Sequence, residues 1–184
     1  MSATTISPDR IPTGTYNVDP SHSSVAFEIR HMGIATVRGS FRKFQGTLDA
    51  TGQAPLLQGV VEVASIDTGE EQRDAHLTSP DFFDVERAPE ISFHSTATES
   101  TDDGNIRLTG EITIKGITKP IELTGTIAEN GEDPWGNERV GLEVEGVIDR
   151  REFELKWNQT LPNGNLLVSN RVKLLVSVSA VKAS

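Results

Sequence analysis

The alternation of apolar and polar residues with a period of two is the sequence feature that most constrains the fold of this chain. Its first clear occurrence is residues 25–30, VAFEIR, in which Val25, Phe27 and Ile29 fall on one side. Successive side chains leave opposite faces of a strand, so this pattern is typical of a half-buried β-strand. The same pattern returns through most of the chain after Pro89. The sequence therefore predicts a protein built almost entirely of strands.

About eight strands are predicted, several of them about ten residues long. Among them are residues 14–18, 23–30, 35–50, 57–66 and, at the end of the chain, 170–181. In the strand predicted for residues 35–50, the large apolar residues change from odd to even positions between Phe41 and Phe44, and therefore from one face to the other. This change predicts a bulge or a bend. After Pro89, the residues Phe93, Ser95 and Ala97 are predicted to share one face of a strand.

One segment, residues 67–84, lacks the alternation and reads DTGEEQRDAHLTSPDFFD. We expect a short helical segment near residues 70–84, with a helix through Arg73 to Leu77 that is capped by Asp67 or Thr68. Phe82 and Phe83 follow this helix. Because they are adjacent, only one of them would face inward if the chain were extended there.

A sheet with one apolar face and no helical layer must either pack on a second sheet or close on itself. Long strands joined by sequential hairpins favour closure, because a barrel has no exposed edges. The predicted fold class is therefore all-β, an antiparallel β-barrel of about eight strands with one short helical segment near residues 70–84. A barrel of this size holds either side chains alone or one small ligand.

The composition agrees with one globular domain and excludes several kinds of site. Of the 184 residues, 24% are charged and 35% are hydrophobic. We assign residues 1–13 to a flexible N-terminal arm and residues 14–184 to a single domain. The chain has no cysteine, which excludes disulfides, thiolate catalysis and cysteine-bound zinc.

The formal net charge of −10 argues against nucleic acid as a partner, because such a partner requires a basic surface. No segment has the roughly 20 apolar residues of a membrane helix, and the first residues lack the apolar core of a signal peptide. We therefore expect a protein that is not embedded in a membrane and that is cytoplasmic.

Short motifs occur in a fixed order over about residues 14–181. They are Tyr16-x-Val18-Asp19-Pro20-x-His22-Ser23 followed by Phe27 and His31, Gly39-x-Phe41-x-x-Phe44-x-Gly46, Thr68 with Arg73-Asp74-x-His76-Leu77, Asp81-Phe82-Phe83-Asp84, Pro89-x-Ile91-x-Phe93, and Gly110-x-Ile112-Thr113-Ile114-x-Gly116-Ile117-Thr118-x-Pro120. Together they resemble the YceI family of lipocalin-like polyisoprenoid-binding proteins. The sequence departs from the family late, where Glu154 replaces the glycine of an Arg-x-x-Phe-Gly turn.

The resemblance implies a lipocalin-like barrel whose apolar lumen takes a long-chain isoprenoid or similar amphiphilic lipid. The resemblance implies a binding protein and not an enzyme, with no cofactor. We expect it to act as a carrier in transport or storage. A homodimer is a further expectation. Burying hydrocarbon yields about 0.8 kcal/mol per methylene without directional contacts. The candidate ligand-binding residues, each of which could instead simply fill the core, are Phe27, Ile29, Phe41, Phe44, Leu77, Phe82, Phe83, Phe93, Ile112 and Ile114.

Polar residues near the start of the barrel and in residues 67–84 are candidates for contact with a ligand's head group. Arginine suits phosphate because it offers paired donors. The alternative is a structural role, with Arg73 and Asp74 as an ion pair and the histidines bonded to backbone carbonyls. The head-group candidates are His22, Arg30, His31, Arg73 and His76.

An enzyme or stress-response factor that uses the same histidine and arginine cluster is the alternative function. The sequence contains neither a His-Glu-x-x-His zinc motif nor a Gly-x-Ser-x-Gly nucleophile elbow. No catalytic residue and no metal site is therefore predicted.

Overall fold

The structure, a computed structural model, describes residues 11–101 and 105–183. Within these residues the helix is α1 (Glu71–Thr78). The strands are β1 (Thr15–Val18), β2 (Ser24–His31), β3 (Ala35–Phe41), β4 (Phe44–Asp49), β5 (Leu56–Glu62), β6 (Ile66–Asp67), β7 (Glu90–Ser100), β8 (Ile106–Ile114), β9 (Ile117–Ile127), β10 (Gly131–Glu132), β11 (Glu138–Asp149) and β12 (Val168–Lys182).

The sheet closes into an eight-stranded antiparallel barrel in the order β11-β9-β8-β7-β5-β4-β1-β12. The closing seam is the long ladder between β11 and β12, which runs from Arg139 opposite Val181 to Asp149 opposite Arg171. Strands β2, β3 and β6 continue the sheet from the same edge of β12 that pairs with β1, opposite the edge that pairs with β11. The predicted all-β barrel with one short helix is therefore confirmed.

The long strand predicted for residues 35–50 is interrupted. Strand β3 ends at Phe41 and β4 begins at Phe44, which confirms the predicted break. The two residues between them turn toward Ser65: Arg42 N donates to the Ser65 carbonyl at 3.2 Å and Lys43 N to its hydroxyl at 3.0 Å. The break thus lets β3 pair with β2 while β4 pairs with β1.

The other end of the barrel is filled by side chains. Tyr16 is fully buried there, and its hydroxyl donates to the Pro12 carbonyl at 2.7 Å. Ile11, 5% exposed, packs in the same core. Residues 11–13 were predicted to belong to the flexible arm, but they are part of the packed structure, because Ile11 is buried in this core and the Pro12 carbonyl accepts the bond from Tyr16. Residues 1–10 of that arm lie outside the described residues.

Helix α1 begins later than the sequence predicted. Its N-cap is Glu70, whose side chain accepts from the backbone N–H groups of Gln72 and Arg73. Asp67 instead accepts from Gly69 N at 2.8 Å, in the turn before the helix.

In the part of the chain that the structure describes, no helix has the length and apolar character needed to cross a membrane.

Candidate binding cavity

An elongated cavity of about 510 Å³ occupies the interior of the barrel, and its walls are almost wholly apolar. On β12 its lining extends from Val168 to Val178, about 33 Å along a strand. With the usual strand tilt of about 40° this is roughly 25 Å along the barrel axis, so the mean cross-section is roughly 20 Å². The volume is within the range of small-molecule sites, about 300–1,000 Å³. This shape is that of a narrow channel.

Every one of the ten apolar residues that the sequence singled out lines this cavity. On β2, Val25, Phe27 and Ile29 are only half-buried although they face the barrel interior. All three line the channel, where other side chains do not fully cover them. The channel is thus a part of the core that the protein's own side chains leave unfilled.

Two aromatic clusters form much of the wall. In the first, Phe41 lies between Phe27 and Phe83, with ring centroids 5.8 and 6.2 Å away. Phe82 belongs to the second cluster. Both Phe82 and Phe83 line the cavity, because the condition under which only one would face inward, an extended chain, is not met. The chain is not extended there: Phe82 N donates to the Ser79 carbonyl, which places the two rings in a turn.

The second cluster consists of His76, Phe82 and Trp157. The rings of His76 and Trp157 meet edge to face with centroids 4.8 Å apart, and Phe82 lies 5.1 Å from His76 and 5.4 Å from Trp157. His76 Nε2 is also 2.8 Å from Asp81 Oδ2. This cluster joins α1 to the segment after β11, so it covers one end of the channel. Trp157 was not predicted from the sequence.

Arg73 and Asp74 are held in place by Thr68 and not by each other. Thr68 donates to Asp74 Oδ1 from its backbone N at 2.9 Å and from its hydroxyl at 2.6 Å. Arg73 Nε donates to the Thr68 hydroxyl at 2.7 Å, and Arg73 Nη2 to its carbonyl at 2.8 Å. The alternative interpretation of Arg73 and Asp74 as an ion pair is therefore wrong. Arg73 itself lines the cavity.

Four of the five head-group candidates, Arg30, His31, Arg73 and His76, line the cavity. His31 ends β2 opposite Val168, the first residue of β12. Arg30 is exposed and donates to the Thr36 hydroxyl at 3.2 Å and to the Gly33 carbonyl at 3.0 Å. The structure thus brings these side chains to the end of the channel that α1 covers.

His22 is the exception, since it is absent from the residues that line the cavity. Its side chain is 66% exposed, with Nδ1 2.8 Å from Asp19 Oδ2. Hydrogen bonds from His22, Ser21 and Arg139 hold the pKa of Asp19 well below its usual range. Asp19 N donates to the Ser179 carbonyl, about 36 Å along β12 from Val168. His22 therefore stabilises a turn far from the other candidates.

Arg150 lines the cavity at the end of β11 and was also missed by the sequence-based prediction. It begins a 3-10 turn, Arg150–Phe153, in which Phe153 is 1% exposed. The guanidinium donates to three carbonyls, with Nε 2.9 Å from the Ser169 oxygen and the terminal nitrogens bonded to Leu155 and Val168. It thereby fastens this turn to the start of β12.

The turn ends at Glu154, the residue that replaces the family's glycine, in the left-handed conformation (φ 59°, ψ 22°). We expect Glu154→Gly to raise the free energy of unfolding by about 1 kcal/mol, because a residue with a Cβ is strained there. In a chain of this length the melting temperature should rise by roughly 2–4 °C. Glu152→Gly, at an exposed position of the same turn without a positive φ, should instead lower stability by about 0.5–1 kcal/mol. Equal melting temperatures for both variants would contradict this account.

No group of three or more His, Asp and Glu side chains within residues 11–101 and 105–183 is arranged to hold a metal ion. Because the walls are apolar, burial of hydrocarbon is the interaction that this cavity supports most directly.

The family model of the YceI-like domain matches residues 16–180 of this chain. Protein YceI of Escherichia coli O157:H7 is 33% identical over 172 residues, which cover 91% of this chain and 86% of that protein. Protein YceI of Salmonella arizonae is 34% identical over the same shares of each chain.

Solved structures show the same architecture. The crystal structure of a Campylobacter jejuni YceI protein has a TM-score of 0.72 and 27% identity, and the match covers 84% of this chain and 90% of that one. A polyisoprenoid-binding domain from Saccharophagus degradans, implicated in plant cell wall breakdown, has a TM-score of 0.66 at 13% identity over 91% of this chain and 98% of that one. At that identity the second likeness shows the fold alone.

Proposed function

The chain belongs to the YceI family, and from this premise we propose that it binds a long-chain isoprenoid or similar amphiphilic lipid, with the hydrocarbon chain inside the barrel. The observation that carries the proposal is the narrow apolar channel of about 510 Å³. A polyisoprenoid is the ligand class named for the Saccharophagus degradans domain of the same fold. We propose binding without chemical conversion, for transport or storage.

The shape of the channel favours a chain-like ligand over a compact one. A channel about 25 Å long and roughly 20 Å² in cross-section accommodates a single extended chain along the barrel axis. Its aromatic and branched aliphatic walls gain free energy from every buried methylene, about 0.8 kcal/mol each. The ten residues that hold the chain in this proposal are Phe27, Ile29, Phe41, Phe44, Leu77, Phe82, Phe83, Phe93, Ile112 and Ile114.

The polar head of the ligand would lie at the end that α1 covers. Arg30, His31, Arg73 and His76 all reach the lining there, whereas His22 does not belong to this group. Arginine and histidine donors are suited to oxygen-bearing heads such as phosphate, carboxylate or hydroxyl. A cytoplasmic location and a homodimer remain predictions from the sequence.

Native mass spectrometry of the purified protein tests this proposal. We expect a co-purified amphiphile, or a one-to-one mass shift when farnesol is added, with farnesol recovered chemically unchanged after extraction. Farnesol (15 carbons) should bind at least about tenfold more tightly than geraniol (10 carbons), because the longer chain buries more apolar surface.

The matched control is an alcohol of compact shape, such as adamantanol, which should bind weakly because the channel is narrow. Absence of any co-purified lipid together with no mass shift on addition of farnesol would contradict the proposal. Conversion of the added farnesol would instead favour the alternative, an enzyme.

A further inference from the structure

The cavity lining has a charge balance opposite to that of the whole chain. The chain carries 27 acidic residues against 17 lysines and arginines. Among the described residues that line the cavity there is no aspartate and no glutamate, but there are three arginines, Arg30, Arg73 and Arg150. An apolar channel with only positive fixed charges attracts an anion and repels a cation.

These three arginines also lack the ion pairs that most arginines of this protein form. Ten arginines lie in the described residues, and six of them pair with a carboxylate within 4.0 Å. The paired residues are Arg38, Arg42, Arg87, Arg107, Arg139 and Arg151. The four that pair with no carboxylate of the described residues are the three cavity arginines and Arg171. The cavity therefore holds three positive charges that form no direct ion pair with a carboxylate of the described residues.

Arg150 is the buried member of the three, at 3% exposed. Its loss of solvation lowers the pKa of the guanidinium from its ordinary value, yet an arginine side chain stays charged in proteins at neutral pH. The nearest acid in sequence, Asp149, is bonded to Arg151, with Nη2 2.6 Å from Oδ2. The charge of Asp149 offsets part of the cost of burying Arg150, but Arg150 has no direct ion-pair partner, so an anion placed beside it would reduce that cost further.

The guanidinium of Arg150 also retains donors for a ligand. It has five N–H bonds, and three of them are used by the carbonyls of Ser169, Leu155 and Val168. The other two, one on each terminal nitrogen, have no acceptor among the described residues. Each of these N–H bonds can donate to an oxygen of a carboxylate or phosphate.

We infer that the cavity selects amphiphiles with an anionic head, a carboxylate or a phosphate, and that Arg150 recognises this head. The inference rests on the proposed binding of an amphiphile in the cavity and adds the charge of its head group. Arg150 donates to Val168, which lies opposite His31. The anionic head would therefore lie at the α1-covered end, with the chain extending toward Val178.

The wild-type comparison uses three probes with the same 15-carbon chain: farnesol, farnesoic acid and farnesyl phosphate.

The fluorescence of Trp157 measures their binding. Trp157 lines the cavity, whereas the chain's other tryptophan, Trp135, is 80% exposed. In a Trp135→Phe background, quenching of Trp157 fluorescence therefore reports binding in the cavity. We expect at least one of the two anions to bind about tenfold or more tightly than farnesol, and the comparison of acid with phosphate identifies which head is preferred.

The variant Arg150→Gln should remove most of this tenfold preference, measured as the ratio of the affinities for the anion and for farnesol in the same variant. Its matched control is Arg171→Gln: Arg171 also lacks an ion pair and lies opposite Asp149 in the same ladder, but it is exposed and outside the cavity. Arg171→Gln should retain the full preference. Arg73→Gln, at an exposed position on α1, should cause a smaller loss than Arg150→Gln.

Farnesol binding as tightly as both anions in the wild type would overturn the inference but leave the proposed function intact. Binding of none of the three probes would instead contradict the proposed function. A preference that Arg73→Gln or Arg30→Gln removes would also overturn the role of Arg150. If Arg150→Gln does not fold, as circular dichroism would show, a preference that survives in both Arg73→Gln and Arg30→Gln supports Arg150 as its source.

Discussion

Replacing both Val25 and Val176 by phenylalanine is expected to reduce farnesol binding by at least about 100-fold, or about 2.7 kcal/mol. The two valines lie directly opposite each other on β2 and β12, and both line the cavity. Two phenyl rings at this level would fill the cross-section of a channel that is only wide enough for one chain. Because the rings enter unfilled space, the free energy of unfolding should change by less than about 1.5 kcal/mol.

The matched control is the pair Glu28 and Lys173, which also face each other on β2 and β12 but lie outside the cavity lining. Replacing both by phenylalanine adds the same volume on the outer face. It breaks the exposed ion pairs of Glu28 with Arg38 and of Lys173 with Glu145, which stabilise little. Farnesol affinity should remain within about threefold of the wild type. Unchanged affinity in the Val25→Phe, Val176→Phe variant would show that the ligand binds outside the barrel.

The alternating pattern was sufficient to predict the wall of the channel wherever a strand is regular. Phe27 and Ile112 follow the parity of their strands, so their inward direction could be inferred from sequence position alone. The prediction failed at Ala97, because the register between β7 and β8 shifts between Ser95 and Ala97. As a result Thr98, 8% exposed, takes the buried position. That shift depends on pairing with β8, which local sequence does not specify.

Arg150 and Trp157 could not be predicted in this way, because they lie outside the alternating segments. Their positions depend on contacts between distant parts of the chain, such as the bond from Arg150 to Ser169 and the contact of Trp157 with His76. One signal was present: the Arg-x-x-Phe of the family's late turn begins at Arg150. It indicated a turn, but a turn motif does not reveal which side chain faces the core.

Replacing Gly125 by alanine is expected to lower the free energy of unfolding by about 3 kcal/mol or more. Gly125 lies in β9 between two paired strands, opposite Ile106 of β8 on one side and Val144 of β11 on the other. A Cβ at this position would be 1.7 Å from the Glu143 carbonyl oxygen and 2.8 Å from Val144 Cα. These are backbone atoms of a paired strand, so no side-chain rotation relieves the overlap.

Gly131→Ala is the matched control, because Gly131 also belongs to a strand of this sheet but a Cβ there would have no neighbour within 4 Å. Thermal unfolding should show a melting temperature roughly 6–12 °C lower for Gly125→Ala and little change for Gly131→Ala. Because β9 pairs with β11, and β11 with β12, a shift of β9 is transmitted to the strand that lines the whole channel. Farnesol affinity should therefore fall in Gly125→Ala even below its melting temperature. Equal stability of the two variants would mean that β9 and β11 do not approach as closely as barrel closure requires.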